Sequence, residues 1–319
     1  DLILLIFKIK LFCKMIYQPV MGTIAATFTP MDKMGEVNLE KITDYAKKLK
    51  KDLLSGVFIC GTTGEGMLMT LEERKLVAEE WMHHQEEGFK VIVHVGTTSS
   101  KQSQELAQHA QKIGAYGTSA MGPLFFKPNN VSTLVDFCAE LAGAAPNIPF
   151  FYYHIPLISG IDLPMRDYIE EAKVKIPNFA GIKYTSDNLD EMRECNSMDN
   201  GKWNVFNGFD ENLFKALKVG VVSAVGSTYN YMNLIYFSMI EDFKSGRIRE
   251  AEKKQKKSNN IIEMLHINGG PQVAGKAIMK MVGIDCGPCR LPLTNLSENS
   301  ISDLHEALQK KGFFREISR

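Results

Sequence analysis

The sequence predicts an α/β protein, a (β/α)8 TIM barrel followed by a C-terminal helical extension. Three observations carry this. Short runs rich in β-branched and aromatic residues recur along the first two-thirds of the chain, and most intervals between them carry a helical pattern. Strands joined by crossover helices lie parallel, and eight of them close on themselves. After about Tyr229 the strand signals stop and only helical patterns remain. A length of 319 residues suits a barrel with additions and buries enough surface to need no disulfide or metal staple.

In chain order, residues 1–18 come first and are expected to lie outside the fold as an upstream extension. Residues 2–7 are apolar, but Lys8, Lys10 and Lys14 break the run well short of the ~20 residues that span a membrane. The charge order does not suit a secretory leader, and Met15 or Met21 are plausible starts. The barrel is expected over 19–229. Its strands are read at 23–29, 56–60, 90–95, 117–122, 149–154, 179–184, 203–207 and 221–226. Between them, Thr70-Leu-Glu-Glu73 reads as a capping box, in which hydroxyl and carboxylate satisfy each other's end amides. Leu106, Ala110 and Ile113 form the buried stripe of a helix closed by Gly114. Residues 230–319 read as helices packed on the barrel: an apolar stretch from Leu234, a charged one through Arg249 and Lys257, then 261–266, 274–282 and 301–311.

Composition narrows the function. Lys plus Arg and Asp plus Glu both number 37, so the net charge is zero and no nucleic-acid partner or acidic membrane is called for. The one basic run, Lys253-Lys254-Gln255-Lys256-Lys257, reads as a solvated helix face. Cys13, Cys60, Cys138 and Cys195 are scattered singly, as reduced thiols of the cytoplasm are. Cys286-Gly-Pro-Cys289 has the spacing of a redox pair. It precedes a Pro-containing loop rather than opening a helix after a strand, and no second pair completes a zinc site. His83 and His84 are helix neighbours, His94 reads as a satisfied core residue and His109 lies in a helix, so no metal site and no cofactor are expected.

Chemistry in a barrel gathers where the strands end, on the C-terminal face. There stand Gly61-Thr62-Thr63-Gly64-Glu65-Gly66, Tyr152-Tyr153-His154, Lys183-Tyr184-Thr185, Gly208-Phe-Asp210-Glu211 and Gly226-Ser227-Thr228. Lys183 closes an apolar run. In a desolvated mouth its neutral amine is a nucleophile that condenses with a ketone, giving an iminium that draws electrons from a carbon–carbon bond. A strand-end lysine reaching to solvent is the alternative. The Thr62–Thr63 loop offers hydroxyls and approachable amides to a carboxylate, or is a tight turn capping the next helix. Alternation sends Tyr152 and Tyr153 to opposite faces, so at most one enters the barrel, where its phenol relays a proton or fills the core. Asp210 and Glu211 either bind sugar hydroxyls or are exposed charges.

With these motifs the sequence resembles the superfamily of N-acetylneuraminate lyases and dihydrodipicolinate synthases, class I aldolases that work through pyruvate. The runs G-T-T-G-E-G, F-Y-Y-H-I-P, G-I-K-Y-T and A-V-G-S-T-Y-N are most similar to the animal-type lyases. The resemblance implies that Lys183 forms a Schiff base with open-chain sialic acid, that Thr62 and Thr63 hold its carboxylate and that Tyr153 relays the proton. It implies that Thr185 lies near the hydroxyl beside the broken bond, and that Gly208, Asp210, Glu211 and Ser227 bind the polyol. Products would be N-acetylmannosamine and pyruvate, and a homotetramer is implied as well. The synthase branch usually carries an Arg five residues after the tyrosine, where this chain has Ile158, and a Tyr in the segment that here reads Pro123-Leu-Phe125-Phe126-Lys127-Pro128. The alternatives are another pyruvate-dependent aldolase or hydratase of the superfamily, and a non-catalytic sugar-acid-binding barrel.

Overall fold

The computed structural model describes residues 19–317. The upstream segment 1–18, expected to stand outside the fold, lies outside the described residues.

Eight parallel strands form a closed barrel in sequence order: β1 (Gly22–Ala26), β2 (Gly56–Ile59), β3 (Lys90–His94), β4 (Gly117–Ala120), β5 (Phe150–His154), β6 (Phe179–Tyr184), β7 (Asn204–Asn207) and β8 (Ser223–Gly226). Closure is direct, with Gly22 of β1 opposite Ser223 of β8 and Ala25 opposite Gly226. Each expected strand is present, with ends shifted by three residues at most. The largest shift is in β1, which stops at Ala26 because Thr27 donates its N–H to Phe58 O and then leaves the ladder.

Helices α1 (Glu40–Lys51), α2 (Leu71–Met82), α3 (Ser100–Lys112), α4 (Val131–Gly143), α5 (Pro156–Ser159), α6 (Met165–Lys175), α7 (Leu189–Ser197) and α8 (Leu213–Lys218) connect the strands. The capping box at α2 is formed: Thr70 Oγ1 accepts the Glu73 N–H and the Glu73 carboxylate accepts the Thr70 N–H. In α3 Leu106 and Ala110 are buried, while Ile113 just past its end is half-buried. The strand period of two divides the core. Ile24, Phe58, Ile92, Phe151, Tyr153, Phe206 and Val225 fill the inside, whereas Val57, Val91, Val93, Tyr152 and Ile182 face the helices. Trp81 of α2 meets Tyr45 of α1 edge-on at 5.5 Å in that outer layer. The bottom of the barrel is closed by polar bonds, with Asn204 Oδ1 accepting the Val20 N–H at 2.8 Å and Ser223 Oγ donating to Val20 O at 2.6 Å.

From Tyr229 to residue 317 the only regular elements are helices: α9 (Tyr229–Lys244), α10 (Ile248–Ile267), α11 (Gly270–Met281), α12 (Glu298–Lys310) and α13 (Phe313–Ile317), with an irregular stretch between α11 and α12. The charged stretch and 261–266, read as separate helices, are one. Ser258-Asn259-Asn260 does not break it, because Ser258 turns inward and donates its hydroxyl to Gln255 O. The basic run is a helix face as expected, with Lys253, Lys254, Lys256 and Lys257 paired to Glu250, Asp242, Glu252 and Glu316. No helix among the described residues is long and apolar enough to cross a membrane.

Candidate active site

Lys183 and Tyr153 stand side by side on β6 and β5, both pointing into the barrel mouth. Lys183 is 5% exposed, its Nζ 3.8 Å from the centroid of the Tyr153 ring and 4.9 Å from that of Phe58. Two aromatic faces hold the amine where water is scarce, so the strand-end lysine reaching to solvent is not what the chain builds. Tyr152, as alternation requires, faces outward and packs on Tyr168 of α6.

The remaining expected residues converge on the same cavity. Thr62, Thr63, Tyr153, Lys183, Thr185, Gly208, Asp210, Glu211 and Ser227 all line it. The loop bearing Thr62 and Thr63 leads into a single 3₁₀ turn (Gly66–Leu68). Asp210 and Glu211 begin another, Asp210–Asn212. Two glycines are there for close approach. A Cβ on Gly208 would lie 2.0 Å from Thr185 Oγ1, and one on Gly226 would lie 1.5 Å from Asp210 Oδ1.

The polar atoms of the cavity are left ready for a ligand. Thr62 Oγ1, Thr185 Oγ1 and Asp210 Oδ1 are buried and have no protein partner. Buried polar groups ordinarily find partners, so three orphans around one amine mark where a polar substrate would supply them. Asp210 spends its other oxygen on Thr228, which donates its N–H at 2.9 Å and its hydroxyl at 2.7 Å. Burial pushes the Asp210 carboxyl up to about 6, partly offset by the Thr228 hydroxyl, while the neighbouring Glu211 charge adds to the rise.

Sequence reasoning left open whether the helical extension closes the mouth and named no residue of it for the wall. Ile262, Leu265 and His266 of α10 and Pro271 and Gln272 of α11 complete the mouth. It also missed Gln255, which sits buried in the basic run, accepts the Phe214 N–H at 2.7 Å and donates to Asp210 O at 3.0 Å. Its polar residue type in a charged run gave no signal of burial.

Other candidates resolve differently. His94 is in the core, as expected: its ring lies edge-on to Tyr153 at 6.1 Å, and burial holds it well below the ordinary histidine range. Cys286 and Cys289 are buried free thiols that burial pushes up to about 12, so neither is a ready thiolate. His83 lies just past α2, and His109 of α3 contacts Glu79 at 2.8 Å. Among the described residues no group of three or more His, Cys, Asp or Glu side chains is arranged to hold a metal ion.

Comparison with known proteins agrees with this geometry. The family model of the dihydrodipicolinate synthetase family matches residues 19–311. The N-acetylneuraminate lyase of Rattus norvegicus is 37% identical over 296 residues, which is 92% of this chain and 92% of that protein. The N-acetylneuraminate lyase of Danio rerio is 40% identical over 276 residues, 85% of this chain and 90% of that one. Among solved structures, the N-acetylneuraminate lyase (sialic acid aldolase) of Aliivibrio salmonicida superposes with a TM-score of 0.90 at 40% identity, covering 93% of this chain and 98% of that chain.

Proposed function

The chain belongs to the dihydrodipicolinate synthetase family, in its N-acetylneuraminate lyase branch, and from that premise we infer that it is a class I aldolase that cleaves N-acetylneuraminate. The products are N-acetylmannosamine and pyruvate. The observation that carries the reading is the buried amine of Lys183 ringed by unpartnered polar atoms of Thr62, Thr185 and Asp210.

The chemistry follows from those groups. The Lys183 amine adds to the keto carbon of the open-chain sugar acid, and loss of water gives a protonated imine. Thr62 and Thr63 hold the adjacent carboxylate, which fixes the keto carbon over the amine. Tyr153 takes the proton from the hydroxyl on the far carbon of the bond to be broken, and Thr185 orients that hydroxyl. As the proton leaves, the oxygen forms the aldehyde of N-acetylmannosamine, and the electrons of the broken carbon–carbon bond pass into the imine to give an enamine. Tyr153 returns the proton to the enamine carbon, and water releases pyruvate and the free amine. Gly208, Asp210, Glu211 and Ser227 recognise the polyol. Ile158, which lines the cavity, brings no charge to anchor the second carboxylate that the synthase reaction needs.

Lys183→Ala is expected to lower pyruvate release from N-acetylneuraminate by about 10⁴-fold or more and to abolish borohydride trapping of a pyruvate adduct, with the fold intact by circular dichroism. Retained release in the variant would overturn the Schiff-base role. No release from the unaltered chain would move the assignment to another 2-keto acid or to a silent binder. The enzyme acts in the cytoplasm, a placement that its buried free thiols support. It works as a homotetramer on small molecules, and the exposed pair Phe125 and Phe126 supports an apolar contact between subunits.

A further inference from the structure

Behind the Thr62–Thr63 corner of the cavity a carboxylate and an ammonium are buried against each other, and neither lines the cavity. Glu65 is 3% exposed, Lys276 of α11 is 4% exposed, and Lys276 Nζ lies 2.7 Å from Glu65 Oε1. The other Glu65 oxygen accepts the Arg290 N–H at 2.8 Å, and Lys276 also donates to Pro288 O at 2.8 Å. An ion pair this deep stabilises a fold poorly compared with an apolar pair of the same volume, so its presence calls for another reason. The backbone of Glu65 sharpens the question. Its φ of +56° is one that glycine adopts freely and a glutamate adopts at a steric cost, so the chain keeps this side chain against its own backbone preference.

The pair ties the loop after β2 to α11 and to the segment that follows it. Thr29 Oγ1, in the segment after β1, donates to Gly64 O at 2.7 Å, and a Cβ on Gly66 would lie 1.9 Å from Cys60 O. The loop is thus held by the segment after β1 and by its own close fit at Cys60 as well as by Glu65. One turn before Lys276, Gln272 approaches Thr62 O at 3.5 Å and itself lines the cavity.

We propose that Glu65 and Lys276 are positioning residues for the substrate carboxylate: their ion pair sets the loop so that Thr62 and Thr63 meet the carboxylate while Lys183 meets the neighbouring keto carbon. This rests on the reading of Thr62 and Thr63 as the carboxylate holders. An anchor displaced by about 1 Å costs on the order of 100-fold in productive binding and reaction, which is the scale on which a loosened loop acts.

The test is the pyruvate concentration that half-saturates borohydride trapping on Lys183, measured with thermal unfolding for Glu65→Gln, Lys276→Met and the double variant Glu65→Leu/Lys276→Met. The half-saturating concentration is expected to rise about 10- to 100-fold in all three. The single variants should unfold at lower temperature, whereas the double variant, which leaves no lone buried charge, should recover much of the loss. A double variant that recovers both its unfolding temperature and the original half-saturation would show a purely structural pair and overturn the proposal. So would folded single variants with unchanged half-saturation. If the single variants do not fold, the double variant alone decides. Thr62→Val/Thr63→Val tests the underlying reading separately: an unmoved half-saturation there would remove the carboxylate assignment, whatever Glu65 and Lys276 do.

Discussion

Asp210 sets a pH dependence that can be worked out in advance. Its carboxyl stands near 6 rather than at the ordinary 3.8, because burial disfavours the charge more than Thr228 restores it. A raised carboxyl is protonated over a pH range where an exposed one would be ionised. If the ionised form accepts sugar hydroxyls, KM for N-acetylneuraminate is expected to rise as pH falls through about 6, reaching about tenfold at pH 5. Asp210→Asn should show a KM that is raised at pH 7 and flat down to pH 5, and steady-state kinetics over that range checks both. At this scale the sequence was informative for residues that interrupt a pattern, such as Lys183 after an apolar run. It was silent on Gln255, whose burial comes from a neighbour 45 positions away in sequence, Asp210.

At the scale of elements, α10 works as a bracket under the loop that follows β7. Gln255 holds Asp210 O and the Phe214 N–H, and Asn259 donates to Glu211 O at 3.2 Å. Gln255→Ala removes its bonds to Asp210 O and the Phe214 N–H, together with those to Ser258 and Asn259 within α10, and leaves buried backbone groups unpaired, which costs about 1–3 kcal/mol. The variant is expected to unfold earlier in urea and to show a severalfold higher KM for N-acetylneuraminate. Its half-saturation by pyruvate should not change, because pyruvate reaches only the Thr62–Thr63 side of the cavity. A change in both would mean the bracket supports the whole mouth. The strands were the most legible elements, since their apolar runs are short and bounded by Gly and polar residues. Helix joints were less so. Ser-Asn-Asn between Lys257 and Ile261 looks like a break, yet a helix tolerates those residues when one of them bonds back to its own backbone, as Ser258 does.

For the molecule as a whole, the closed barrel leaves no free sheet edge among the described residues, so an assembly built on them uses loops or helices. Phe125 and Phe126 on the loop after β4 are each 83% exposed and meet edge-on at 5.0 Å. On the proposed tetramer, Phe125→Asp/Phe126→Asp is expected to lower the mass in light scattering, and an unchanged mass would place the contact elsewhere. Barrel closure was legible from the count of strands. The convergence of five strand ends on one cavity followed from it, because a barrel brings all its C-terminal ends to one face. The part played by α10 and α11 was not legible, because an amphipathic helix that lines a mouth and one that only covers a core carry the same stripe.

The position of those two helices in the chain bears on how the enzyme comes into being. Every group given a reacting or binding role lies between Thr62 and Ser227, but the brackets that hold their loops, Gln255 and Lys276, are translated afterwards. A nascent chain emerging from the ribosome therefore carries the full chemical complement well before it has a working pocket. The same separation means that a chain cut short within α10 or α11 keeps the amine and the tyrosine in its sequence while losing both the brackets and the share of the core that those helices bury.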